Sequence, residues 1–455
     1  MLLRLAPCLL LLAAGLAAAA PSAVIAELAA AELDSLEALY RRLHTHPELS
    51  FYEEQTAARL VAELKPLGFE VTSGVGRHGF VAVMSNGAGP TVMVRTDLDA
   101  LPVVENTGRD YASDVRAKDD LGNDVGVMHA CGHDIHMTSF VGTARLLAKL
   151  KSEWSGTLVM IGQPAEERGA GAREMLADGL FKRFPRPGAA IALHVDAALE
   201  TGKIGYRAGY ILANVDSVDI TIRGVGGHGA YPHATKDPIV IAAQVIMALQ
   251  TIVSREVRPI DSAVVTVGSI HGGAKHNIIP DEVKLQVTVR SYSDETRAQI
   301  LAAIERITVG IARAAGVPAD REPTVSVIED EFTPATYNDP ALASRLLPVW
   351  RSLLGEENVV ERDAEMGGED FSRYGREEPR IPIFMFRLGT ISAERIAESK
   401  KPGGKPLPSL HSALFWPVPR STIETGVKAM TAAALELLKK QGNSGGRRVW
   451  AGLTG

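Results

Sequence analysis

Three apolar runs constrain this chain most. Residues 91–97, 157–167 and 189–195 each read as a short, continuous apolar strand that turns polar at its carboxyl end. Helical stretches such as residues 137–150 separate them. Strands of this kind need cover on both faces, which a largely parallel or mixed α/β sheet provides. In open sheets, ligands collect beyond the carboxyl ends of the strands. Asp97, Glu166, Glu167 and His194 stand at such ends, so they can converge although they are distant in sequence.

The texture changes near Asn214. Val218, Ile220 and Ile222 alternate with polar residues, as do Val283, Leu285, Val287 and Val289. Strict alternation suits a sheet with one wet face. Asp237 and Pro238 are a cap and first turn for one helix, and Leu301, Ile304, Ile307 and Ile311 line one face of another. The order is βαββαβ, the split-βαβ arrangement. Residues 213–329 therefore read as a small ferredoxin-like domain inserted into a larger one, whose parts are residues 21–212 and 330–441. In the larger domain, helices are expected over 26–43, 52–64, 339–354 and 421–440, with Pro348 kinking or interrupting the third.

A chain of 455 residues is too long for one ordinary core. A net charge of −6 argues against a nucleic-acid partner, which would want a basic face. Residues 1–20 combine Arg4, an apolar run and four alanines, the pattern of a secretory signal, so the protein is expected to be secreted or periplasmic. No later apolar run reads as a membrane span, and residues 442–455 read as a disordered tail. Loss of the signal removes Cys8 and leaves Cys131 alone, unable to form an internal disulfide. Metal ligation would use that thiol.

His129-Ala130-Cys131-Gly132-His133-Asp134 packs two imidazoles, a thiol and a carboxylate into six residues. Taken alone, it is either a metal loop or a helix start capped by Asp134. Glu166 and Glu167 are either a solvated turn or a metal site, where one carboxylate ligates and the other stays free as a base. His194 is either a core histidine or a ligand. His411 merely ends a loop.

Taken together, several stretches resemble the aminoacylase and hippurate-hydrolase superfamily of two-metal amidohydrolases, within metallopeptidase family 20. They are Arg95-Thr96-Asp97-Leu98-Asp99-Ala100-Leu101-Pro102, the His129–Asp134 motif, and Gln163-Pro164-Ala165-Glu166-Glu167. Gly226-Gly227-His228-Gly229-Ala230-Tyr231-Pro232-His233, Asn277-Ile278-Ile279-Pro280 and Gly367-Gly368-Glu369-Asp370-Phe371 follow in order. The branch with bacterial hippuricases and plant indole-acetyl-amino-acid hydrolases is the most similar. The resemblance implies two divalent ions per subunit held by Cys131, His133, Glu167, His194 and His411. It implies Asp97 as a carboxylate orienting a ligand, with Arg95 where more distant relatives have a metal-binding histidine. Glu166 would take a proton from the attacking water and return it to the departing amine. His228 would reach in from the partner of a homodimer built through the lid, though its residues alone read as an ordinary Gly-rich turn. Asn277 and Arg290 would meet the substrate, with Arg290 suited to a carboxylate and otherwise a solvated strand end. Thiolate with imidazole and carboxylate suits zinc, with manganese, nickel or cobalt as alternatives.

The expected activity is hydrolysis of N-acyl or N-aroyl amino acids. A dipeptidase or carboxypeptidase of the same superfamily is the near alternative. A non-catalytic envelope protein binding metal or solute is the alternative of another class, and a Cys131 thiol hydrolase is a minor third.

Overall fold

The computed structural model describes residues 21–439. The expected signal at 1–20 and tail at 442–455 lie outside the described residues. The main sheet has eight strands in the order Glu70–Val75, Gly79–Asn86, Gly156–Gln163, Thr91–Asp97, Ala189–Glu200, Ile383–Ile391, Ile204–Tyr206, Val359–Glu361. Its centre is parallel: Thr91–Asp97 runs beside Gly156–Gln163 on one side and Ala189–Glu200 on the other, and Ala189–Glu200 beside Ile383–Ile391. The strands flanking this centre pair with it antiparallel, so the sheet is mixed.

Both faces of the centre are dry, as continuous apolar runs require. Val92, Val94, Leu158, Met160, Ile191 and Leu193 join one core with the helices Pro21–His44, His133–Lys149 and Pro419–Leu437. Their neighbours Met93, Val159, Ile161, Ala190 and Ala192 join the opposite core with Met175, Phe371 and Tyr374. The alternation is the two-residue period of a strand, with an apolar residue on each side.

Asn214–Arg223, Ala263–Gly272, Glu282–Ser291 and Thr324–Val327 form a separate antiparallel sheet, ordered Ala263–Gly272, Glu282–Ser291, Asn214–Arg223, Thr324–Val327. Its apolar face packs on Ile241, Val245, Ile300 and Ile304 of the helices Pro238–Thr251 and Asp294–Ala314. Asp237 caps the first, accepting the Ile239 N–H at 2.9 Å. A two-stranded ribbon, Gly227–His228 with Ile278–Ile279, also belongs to this inserted unit.

Three details narrow or correct the expectations above. Pro348 does not interrupt its helix, which runs unbroken over Pro340–Leu354. Pro348 and Ser344 lie away from the buried face, where water can satisfy the carbonyl the proline leaves free, while Leu342, Leu346 and Trp350 anchor the other face. The strand holding His194 continues to Glu200, so that histidine lies within it. Finally, Pro238–Glu256 is apolar and long enough, by composition alone, to cross a bilayer. One of its faces is the lid core, while Ile239, Val240 and Met247 on the rest are exposed.

Candidate metal centre

Gly132 starts the site. It sits in the left-handed region with φ 75° and turns the chain sharply between Cys131 and the helix His133–Lys149. Cys131 and His133 are thereby aimed at the carboxyl ends of the central strands. The Cys131 Sγ is 3.5 Å from His194 Nε2. Across the sheet, Ala165 adopts φ 48° and starts the short turn Glu166–Arg168. Glu167 Oε1 then lies 3.7 Å from His133 Nε2, and Glu166 Oε2 lies 3.8 Å from it. His411 arrives from a distant loop, its N–H on the Ala130 carbonyl at 3.0 Å and its Nε2 3.5 Å from Glu167 Oε2.

The donor atoms fall into overlapping sets within 4.8 Å of one another: Cys131, His133 and His194; Cys131, Glu167 and His411; His133, Glu166 and Glu167. Two of them are buried without a hydrogen-bond partner among the described residues, His133 Nε2 and Glu167 Oε1. Buried polar atoms are rarely left so. Facing each other 3.7 Å apart, they have the spacing of two ligands around one cation. The tautomers agree. His133 Nδ1 meets the Asp99 carbonyl at 2.8 Å and His194 Nδ1 the Val195 carbonyl at 2.8 Å, so in each ring Nε2 is the nitrogen left to face an ion; without one, Asp97 and Asp99 overcome burial and favour a proton on His133. The residues fit a divalent metal centre.

Charge points the same way. Burial pushes the Cys131 thiol well up. Burial, with Glu369 and Glu167 close by, pushes the Glu166 carboxyl well up. Burial and the Asp99 carboxylate, partly offset by His133, raise Glu167 to about 7. Burial and neighbouring His136 hold His194 well below its usual value. Such a dry, anion-rich site favours a bound cation, which would bring the three acids down again and keep His194 neutral.

Asp97 hydrogen-bonds none of the five expected ligands. Its carboxylate accepts from His136 Nδ1 at 2.8 Å and from Arg95 at 2.7 Å, and lies 3.8 Å from His133 Nε2. Arg95 is fully buried and also reaches Glu369 and Asp370, so it is locked away from any ion. Asp97 is expected to orient a ligand; for His133 that contact is made by the Asp99 main chain, a role that sequence reasoning did not assign. A main-chain carbonyl leaves no cue to it in the sequence.

Cys131, Glu166, Glu167, His194, His411 and Arg290 line one cavity of about 800 Å³. His228 and Asn277 do not line it. They sit together on the exposed ribbon of the inserted unit, where the Gly229 N–H meets the Asn277 carbonyl at 2.9 Å.

A mixed α/β sheet whose strand ends gather thiol, imidazole and carboxylate around a free glutamate is the scaffold of a metal-dependent hydrolase. The chain belongs to peptidase family M20/M25/M40, whose family model matches residues 93–402. It is 39% identical over 348 residues to IAA-amino acid hydrolase ILR1-like 4 of Arabidopsis thaliana, covering 76% of this chain and 76% of that protein. It is 36% identical over 360 residues to thermostable carboxypeptidase 1 of Saccharolobus solfataricus, covering 78% of this chain and 86% of that one. The fold matches the Bacillus subtilis YXEP protein, described as a dinuclear metal binding peptidase of the M20 family, with a TM-score of 0.73 and 29% identity over 90% of this chain and 99% of that one. The protein is a metal-dependent amidohydrolase.

Proposed function

We propose that it cleaves the amide bond of N-acyl or N-aroyl L-amino acids, releasing a carboxylate and an amino acid. The observation that carries this reading is Arg290. It is half-buried on the wall of the cavity that holds the ligand cluster, and its Nε donates to the Thr288 hydroxyl at 3.2 Å. Among the described residues it forms no ion pair, so its guanidinium is available to a substrate carboxylate. The cavity is wide enough for an acyl group as well.

Cys131, His133, Glu167, His194 and His411 would hold two divalent ions, with zinc best suited to a set containing thiolate and imidazole. Such ions, when bound, supply Lewis acidity and make a water acidic near neutral pH. Glu166 does the proton work. Its carboxylate is buried beside the ligands, with Oε2 3.8 Å from His133 Nε2. It takes a proton from the attacking water and delivers it to the amide nitrogen as that bond breaks. A homodimer through the inserted unit would carry His228 and Asn277 into the partner's cavity, in keeping with the exposed Ile239, Val240 and Met247 of the same unit. Export to the periplasm or medium follows from the signal-like residues 1–20.

The test is a panel of N-acyl amino acids and free dipeptides on the metal-loaded enzyme, beside Glu166→Gln. Turnover of acyl amino acids, lost in the variant while its metal stays bound, is the expected result. Preference for substrates with a free α-amine would make it a dipeptidase. Metal binding without any turnover would leave a binding protein, and activity that survives thorough chelation would overturn the metal reading.

A further inference from the structure

The turn that carries Glu166 and Glu167 is gripped from beneath by two acids that take no part in the proton transfer. Asp99 and Glu53 are both fully buried. Glu53 Oε1 accepts the Ala165 N–H at 2.7 Å. Asp99 Oδ1 accepts the Glu166 N–H at 3.1 Å and Oδ2 the Glu167 N–H at 3.0 Å. Three successive backbone amides of one turn thus end on two carboxylates. Asp99 Oδ2 is itself fixed by the Ser50 hydroxyl at 2.6 Å, and the Asp99 carbonyl takes His133 Nδ1 at 2.8 Å.

We propose that Asp99 and Glu53 form a carboxylate cradle that positions the Ala165–Glu167 turn, and that Asp99 thereby sets Glu166, Glu167 and His133 relative to one another. This rests on the reading of Glu166 as base and Glu167 and His133 as ligands. The turn needs such a hold. Ala165 is a non-glycine residue at φ 48°, a conformation that persists only where its surroundings over-determine it. Amides aligned on the Asp99 carboxylate make charge-assisted bonds, stronger than neutral ones, while burial and Asp99 raise the Glu53 carboxyl to about 8, so Glu53 contributes one acceptor oxygen. The N-terminal segment supplies the frame. Leu49 bridges Ala100, and the Ala100 N–H meets the Glu48 carbonyl at 2.8 Å. The Glu48 carboxylate caps the helix Glu54–Leu64 through the Thr56 N–H at 2.7 Å, which sets Glu53 at its start. Asp99 and Glu53 do not line the cavity, so they are positioning residues.

The cradle makes an asymmetric demand on its two members. Asp99 uses both carboxylate oxygens on amides, so Asp99→Asn turns a donor toward an N–H. Glu53 uses one, so Glu53→Gln keeps the acceptor that matters and Glu53→Ala does not. The experiment reads hydrogen exchange of the 165–169 backbone in the full-length, chelated protein, and zinc retention and steady-state kinetics in the loaded one. Asp99→Asn and Glu53→Ala should speed exchange of that segment at unchanged exchange elsewhere, while Glu53→Gln stays as wild type. Asp99→Asn should lower kcat or zinc affinity by about 10–100-fold, the usual effect of losing a group that orients ligands. Ser50→Ala, a milder change, should move the same segment in the same direction if Asp99→Asn does not fold. Wild-type exchange and kinetics in both Asp99→Asn and Ser50→Ala would overturn the cradle. So would equal effects of Glu53→Gln and Glu53→Ala. Faster exchange in Asp99→Asn alongside full activity of Glu166→Gln would leave the cradle standing and remove the role given to Glu166.

Discussion

Arg95 and Glu369, far apart in the chain, meet at 2.9 Å with both side chains fully buried. The same guanidinium bonds Asp97 at 2.7 Å and the Gln163 side chain at 3.0 Å, and Asp370 lies 3.3 Å away. One cation thus balances three buried carboxylates close to Glu166. Replacing Arg95 by Met would strand those charges, and breaking a buried pair by removing one partner costs about 3–5 kcal/mol. Urea unfolding of chelated Arg95→Met should show a loss of that order. Lys118→Ala, which breaks an exposed pair with Asp124, should cost no more than about 1 kcal/mol. Similar losses for the two would mean the Arg95 cluster relaxes to admit water.

His44 gives the protein a pH dependence unrelated to catalysis. Burial opposes its charge, but Asp134 at 2.6 Å and Glu105 at 3.1 Å prevail and lift it to about 9. A histidine raised in the folded state adds stability that is complete below its unfolded value near 6.5 and is lost as pH climbs through about 9. The full effect is at most about 3 kcal/mol. Denaturation midpoints of the chelated protein should therefore decline from pH 6.5 to 9, and the slope should flatten in His44→Gln. A slope unchanged by that substitution would assign it to other groups.

Much of this architecture is written in the local pattern. Residues 91–97 and 157–163 show no polar face, so a strand buried on both sides is the natural reading, and the carboxyl-end rule then brings Asp97, Glu166 and Glu167 near one another. The pattern fails where the deciding partner is distant or is main chain. Asp196 looks like the end of a strand, yet it is buried against Arg362 at 3.1 Å and the strand continues. The hold of Asp99 is on two backbone amides, which carry no sequence signature. Pro348 breaks a helix only where the freed carbonyl has no water, and its exposure is set by how the helix docks. His228 and Asn277 could be read only by resemblance, and a single chain keeps them out of the cavity.

Arg290 should discriminate substrates by charge. A hydrogen-bonded contact to an ionised group is worth about 1.5–3 kcal/mol, or roughly 10–100-fold. Arg290→Ala should lower kcat/KM for an N-acyl amino acid by that factor, chiefly through KM. The α-carboxamide of the same substrate should be hydrolysed equally poorly by the variant and the wild type. A matching loss on both substrates would place Arg290 in folding or lid geometry and remove it from substrate recognition. Arg290→Lys keeps the charge but not the two-pronged geometry, and should recover only part of the affinity.

Gly132 ties the metal loop to the core, and two penalties meet there. Its φ of 75° is unfavourable for any residue with a Cβ, and a Cβ on it would lie 2.7 Å from Val195 Cγ2, a side chain with no exposed surface. Overpacking of this kind costs about 1–3 kcal/mol, with about 1 more from backbone strain. Gly122 provides the control, since it has φ 81° but an added methyl there would meet nothing within 4 Å, so only the strain applies. Gly132→Ala should melt well below Gly122→Ala. Because Cys131 and His133 flank the glycine, the shift should also reach the ligands, and zinc should be stripped by a chelator faster from Gly132→Ala than from wild type, with Gly122→Ala unchanged. If Gly132→Ala keeps its zinc as tightly as wild type while losing stability, the strain is absorbed by Val195 and the helix behind it, and the turn is not what sets the spacing of the thiol and the imidazole.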